Sequence, residues 1–191
     1  MQQINNPPEF AIKAAIEAAK NSTCTKSRRG ISIFSDHLLI SIGTNSIAYG
    51  KCTGDDICKQ NCNKICTHAE INAIFNFYKN NVFLKHEKDV SILHVKINED
   101  GNLETSKNPS CWQCSRYILQ QGFKGVWLFE QINTNDSNNG EWKFYNSTKF
   151  HLQTLDNCND IIKRDDKLGK FLKIYDDYLD KKIDYKDLPN E

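Results

Sequence analysis

The chain has 191 residues, 39% hydrophobic and 26% charged, with a formal net charge of +1. That length and composition fit one globular domain with a full core and exclude a disordered or fibrous chain. The charge balance excludes a strong overall electrostatic footprint for nucleic acid.

Pro7-Pro8 before Glu9 predicts a helix start, and Phe10, Ala14 and Ala18 share one face of a helix running to about Lys20. Ile31–Phe34 and Leu38–Ile42 flank the polar Ser35-Asp36 and read as an antiparallel hairpin. Residues 43–65 read as a cysteine-rich loop. A helix is predicted from about Cys66 to Lys79, burying Ile71, Ile74, Phe75 and Tyr78. Val90–Ile97 reads as a strand, Asp100-Gly101-Asn102 as a turn, and Ser110–Gln121 as a helix closed by Gly122. Val126–Phe129 reads as a buried strand. Residues 131–141 read as an Asn-rich loop, 148–158 as a further helix, and the tail from Ile161 (with Leu168, Phe171, Leu172, Ile174 and Tyr178) as an amphipathic helix.

This order of elements predicts an α/β fold, a three-layer α/β/α sandwich over a mixed sheet of about five strands. The expected division is a domain over 1–150 and a helical extension over 151–191 packing on the domain or on a partner. The first residues carry no basic and apolar leader pattern, and no apolar run approaches the ~20 residues of a membrane span, so a soluble, cytoplasmic protein without membrane contact is expected. Eight cysteines in such a setting point to metal rather than disulfides.

Two stretches carry chemistry, Cys66-Thr67-His68-Ala69-Glu70 and Pro109-Ser110-Cys111-Trp112-Gln113-Cys114. His68, Cys111 and Cys114 offer one imidazole and two thiolates at two helix starts, which leaves a fourth tetrahedral position of a zinc ion open for water. Glu70 lies two residues past the histidine and reaches that open side without binding metal. It is placed to take a proton from the water and return it to a ring nitrogen and a leaving amine. The bland reading makes His68 a core histidine and the cysteines a structural site.

His-x-Glu followed by Cys-x-x-Cys is the signature of zinc nucleobase deaminases. The stretch Cys66–Ile74 resembles the deoxycytidylate (dCMP) deaminase branch of the cytidine deaminase superfamily, over roughly residues 8–130. The resemblance implies hydrolysis of dCMP to dUMP, with zinc-activated water attacking C4. It also implies a second, structural zinc held by Cys24, Cys52, Cys58 and Cys66, for which Cys62 can substitute. The alternative is that Cys66 is a buried thiol. Gly43-Thr44-Asn45-Ser46 stands where the family has Gly-Tyr-Asn-Gly, which makes Asn45 the candidate sugar contact. Ser110 separates Pro109 from Cys111, where the family has Pro-Cys, and is expected to cap the helix. Ala69 joins the implied substrate contacts.

Lys26, Arg28 and Arg29 form a basic run that suits a substrate phosphate or a solvated loop. Arg116 has the same two readings, and Trp112 suits base stacking or packing. Trp127 is expected in the core. His37, His86, His94 and His151 stand apart from the motifs and read as non-catalytic, and Cys158 as a buried thiol. Expected partners are a small pyrimidine nucleotide and further copies of the chain. The competing functions are a polynucleotide deaminase acting on tRNA or single-stranded DNA, a deaminase of a riboflavin precursor, and a non-catalytic zinc-stabilised binding protein.

Overall fold

The structure is a computed structural model that describes residues 6–48, 50–80, 89–106, 110–132 and 139–157, leaving aside the side chains of 59, 60, 63 and 64. The extension beyond 157, Cys158, His86, Pro109 and the centre of the Asn-rich loop lie outside the described residues.

The elements run α1 (Glu9–Lys20), β1 (Arg28–Ser35), β2 (Leu38–Thr44), β3 (Ser46–Ile47), α2 (Asp56–Ile65), β4 (Cys66–Thr67), α3 (Ala69–Asn80), β5 (Ser91–Ile97), β6 (Leu103–Glu104), α4 (Trp112–Gln120), β7 (Gly125–Gln131), β8 (Gly140–Asn146) and α5 (Ser147–Asn157). The sheet order is β2-β1-β5-β7-β8, with β6 on the end of β5. Among the described strands of this sheet only β5 and β7, joined through α4, are parallel, and the other neighbours are antiparallel. The sheet is mixed, as expected.

Strand alternation sorts the side chains into two cores. Ile31, Ile33 and Ile92 face the layer that holds α3, α4 and α5, with Ala73, Phe77, Ile118, Leu128 and Phe150. Phe34, Leu93, Val95, Ile97 and Trp127 face α1, with Ala11, Ala15 and Ala19. The three-layer sandwich follows. Two glycines let the helices sit close. A Cβ on Gly30 would lie 1.9 Å from the Ala15 carbonyl oxygen, and one on Gly43 would lie 2.3 Å from the Ala73 nitrogen.

That contact corrects the predicted face of α3. The helix buries Ala69, Glu70, Ala73, Ile74 and Phe77, while Phe75 is 64% and Tyr78 47% exposed. Small residues at 69 and 73 let the backbone reach Gly43, and this rotates the larger side chains outward. On α1 the deeply buried positions are likewise Ala11, Ala15, Ala18 and Ala19, with Ala14 at the edge. The predicted 43–65 loop contains α2, capped by Asp55, whose side chain accepts from the Cys58 amide. The Asp55 cap was a signal in the sequence that a helix starts here. The end of the Asn-rich stretch enters β8, which pairs with β7 from Gly125↔Asn146 to Gln131↔Gly140. Helix α5 runs through position 150 and packs on the core through Phe150 and Thr154, both 0% exposed. Among the described residues no helix is long and apolar enough to cross a membrane.

Candidate metal centre and cavity

α3 and α4 begin side by side. The His68 carbonyl accepts the Asn72 amide at 3.1 Å, so His68 is the last residue before α3. Cys111 caps α4, its sulfur accepting the Cys114 amide at 3.4 Å. The cap is therefore Cys111 and not Ser110 as expected. The partial positive charge of both helix starts falls on the same spot.

His68 Nδ1 lies 3.3 Å from both the Cys111 and the Cys114 sulfurs. All three donor atoms lie within 4.8 Å of one another, and among the described residues this is the one such group of His, Cys, Asp or Glu. Zinc bonds of about 2.3 Å to sulfur and about 2.0 Å to nitrogen, at a tetrahedral angle, put N and S roughly 3.5 Å apart. The donors fit a zinc ion in both kind and spacing. A hydrogen bond from Cys114 first, then one from His68, lowers Cys111 to about 5 against its burial. The same bond and burial push the Cys114 thiol up.

Glu70, in the first turn of α3, is 4% exposed. Ser110 Oγ donates to its Oε1 at 2.6 Å. Burial pushes the carboxyl up, but its polar neighbours, the Ser110 hydroxyl among them, outweigh it and hold the carboxyl below its ordinary value. His94 Nδ1 lies 3.8 Å from the same Oε1. His94 therefore does not stand apart from the motifs. The signal was strand parity: His94 is two residues past Ile92 and so faces the layer of α3.

These groups open into a cavity of about 580 Å³, in the range of small-molecule sites. Ala69 lines it, and so do Lys26, Arg29 and Lys96. Arg28 does not, because it precedes Arg29 on β1 and alternation turns it to the opposite face. Lys96, unremarked in the sequence, pairs with Arg29 across the strands and reaches Glu104 at 2.6 Å. Asn45 lines the cavity with its amide engaged: Oδ1 accepts from Ser22 Oγ and the Arg29 amide, and Nδ2 donates to the Ser27 carbonyl. One amide N–H remains. Asn72 binds the Thr44 carbonyl and Ser46 Oγ. Arg116 lies over the Trp112 and Tyr117 rings, 5.2 and 5.6 Å from their centroids, beside a separate cavity of about 340 Å³. His151 bonds Ser115 Oγ at 2.8 Å, between α5 and α4.

The second cysteine set gathers on one side of this cavity, and Cys24, Cys62 and Cys66 line it. Cys52 and Cys58 sulfurs lie 3.6 Å apart. The Thr25 hydroxyl, foremost, lowers Cys52 to about 7. Burial, then the neighbouring Cys62, pushes Cys66 up to about 12. No three of the five sulfurs lie within 4.8 Å of one another.

No family sequence model and no curated protein matches the chain. Among solved structures, the chain is similar to the dCMP deaminase from the cyanophage S-TIM5 in apo form. That likeness has 19% identity and a TM-score of 0.48, and covers 70% of this chain and 92% of the other. It is also similar to the cytidine deaminase from Burkholderia pseudomallei, at 13% identity and a TM-score of 0.49, covering 76% and 96%. A further likeness is to a diaminohydroxyphosphoribosylaminopyrimidine deaminase/reductase from Thermotoga maritima, at 19% identity and a TM-score of 0.39, covering 62% and 28%.

Proposed function

We propose that the protein is a zinc-dependent deaminase that hydrolyses the 4-amino group of a cytosine-type nucleotide, dCMP foremost, to the uracil nucleotide and ammonia. The observation that carries the reading is a three-donor zinc site with one buried, unliganded carboxylate beside it. A structural site needs a fourth ligand and has no use for Glu70.

His68, Cys111 and Cys114 would hold the zinc ion, which would supply the Lewis acidity that makes water reactive near neutral pH. Glu70 carries protons from the water side to the ring nitrogen and the amine. Ser110 holds one carboxylate oxygen and leaves the other for the reacting atoms. Ala69 and the spare Asn45 N–H bind base and sugar. Lys26, Arg29 and Lys96 give the cavity cationic groups for a phosphate, and among the described residues that line it Glu70 is the one carboxylate.

Cys52 and Cys58 stand about as far apart as two sulfurs on one zinc, roughly 3.8 Å for bonds of about 2.3 Å. Together with Cys24 and Cys66, or with Cys62 in place of either Cys58 or Cys66, they form the proposed structural zinc site that ties α2 to the core. Self-association belongs to the same reading, with exposed Phe75 and Tyr117 as the surface. A cytoplasmic setting completes it.

The test is ammonia release by zinc-loaded protein from dCMP, CMP, deoxycytidine, cytidine and a cytosine-containing oligonucleotide. Preferred turnover of dCMP, abolished in a Glu70→Gln variant that keeps its zinc, is expected. Turnover of the oligonucleotide alone would move the protein to polynucleotide editing, and full activity of Glu70→Gln would sink the mechanism.

A further inference from the structure

His94 is 1% exposed and lines the cavity from β5. Its Nε2 lies 3.1 Å from a guanidinium nitrogen of Arg29. A guanidinium only donates, so Nε2 accepts and the neutral ring carries its single proton on Nδ1. Burial first, with Arg29 adding to it, keeps the ring neutral by lowering it to about 4 against the pull of Glu70. Nδ1 is buried and has no hydrogen-bond partner among the described residues. The acceptor it faces is Glu70 Oε1 at 3.8 Å, just beyond bonding distance. Ser110 holds that same oxygen. A buried N–H left without an acceptor is unfavourable, and a shift of less than 1 Å would satisfy it.

We propose that Arg29 and His94 form a positioning relay for Glu70, in which Arg29 fixes the His94 tautomer and the His94 Nδ1–H closes onto Glu70 Oε1 when substrate fills the cavity. With Ser110 and His94 both on Oε1, the carboxylate cannot swing, and its second oxygen stays aimed at the reacting atoms. The kinetic part of this inference rests on Glu70 being the proton carrier; the tautomer part does not.

The experiment pairs imidazole nitrogen NMR with kinetics on the full-length, zinc-loaded protein. His94 is expected to show a protonated Nδ1 and a bare Nε2, and Arg29→Leu is expected to release that preference. His94→Phe is expected to lower kcat about 100-fold at nearly unchanged KM, the scale of a misplaced catalytic group. His94→Gln, whose amide accepts from Arg29 and donates to Glu70, is expected to recover most of the loss; it also carries the comparison if the phenylalanine variant does not fold. A proton on Nε2, or wild-type kcat in His94→Phe, would overturn the relay. Wild-type protein inactive on every cytosine compound would overturn the deaminase reading instead, and the nitrogen shifts would still decide the tautomer.

Discussion

Removing one hydroxyl tests the carboxylate geometry directly. In Ser110→Ala, Glu70 Oε1 loses a donor at 2.6 Å, a short bond to an ionised acceptor. Such bonds contribute about 1.5–3 kcal/mol. At about 1.4 kcal/mol per decade of rate, loss of that orientation lowers kcat by roughly 10- to 100-fold. Ser110 contacts the proton carrier rather than the base or phosphate, so KM should stay nearly constant. Steady-state ammonia release from dCMP, with zinc content measured on the same samples, reads both numbers. Ser110→Thr keeps the hydroxyl and should stay within a few-fold of wild type. A Ser110→Ala enzyme with full zinc and wild-type kcat would refute the claim that this bond orients Glu70.

Gly43→Ala should act on fold and site together. The new methyl would meet the Ala73 nitrogen at 2.3 Å and the Ala69 carbonyl oxygen at 2.5 Å, both backbone, so α3 must move. Overpacking of this kind costs about 1–3 kcal/mol, which lowers Tm by roughly 2–12 °C for a chain of this size, and calorimetry should also show weaker zinc retention. Acid should destabilise the fold through His94. The unfolded ring takes a proton near its usual 6.5 while the folded ring stays neutral to about 4, so stability present above pH 6.5 is lost as pH falls toward 4. That loss is on the order of 3 kcal/mol and should shrink in His94→Gln during urea titrations at pH 7 and 4.5. Metal analysis should give two zinc ions per chain, one after Cys52→Ser and one after Cys111→Ala; a wild-type value of one would remove the structural site. Phe150→Ala, at a 0% exposed position, should cost about 3–5 kcal/mol, and a change within error would show that α5 is not part of the cooperative core.

Local pattern was enough to read the hairpin, the strand–helix–strand unit and the presence of α3 and α4, because each has its own periodicity or turn, although α3 begins at Ala69 and Cys66 lies in β4. It was also enough to place one histidine and two cysteines at two helix starts with a glutamate beside them. Tertiary structure decided the rest. Arg29 reaches the cavity and Arg28 does not because one residue along a strand reverses the face. His94 joins Glu70 because β5 lies beside β1, beneath the start of α3, a neighbour relation absent from either stretch of sequence. Ser110 bonds Glu70 rather than capping α4 because Cys111 already holds the cap. The buried face of α3 was set by its approach to Gly43, and backbone contact there outweighed the pull of Phe75 and Tyr78 toward the core.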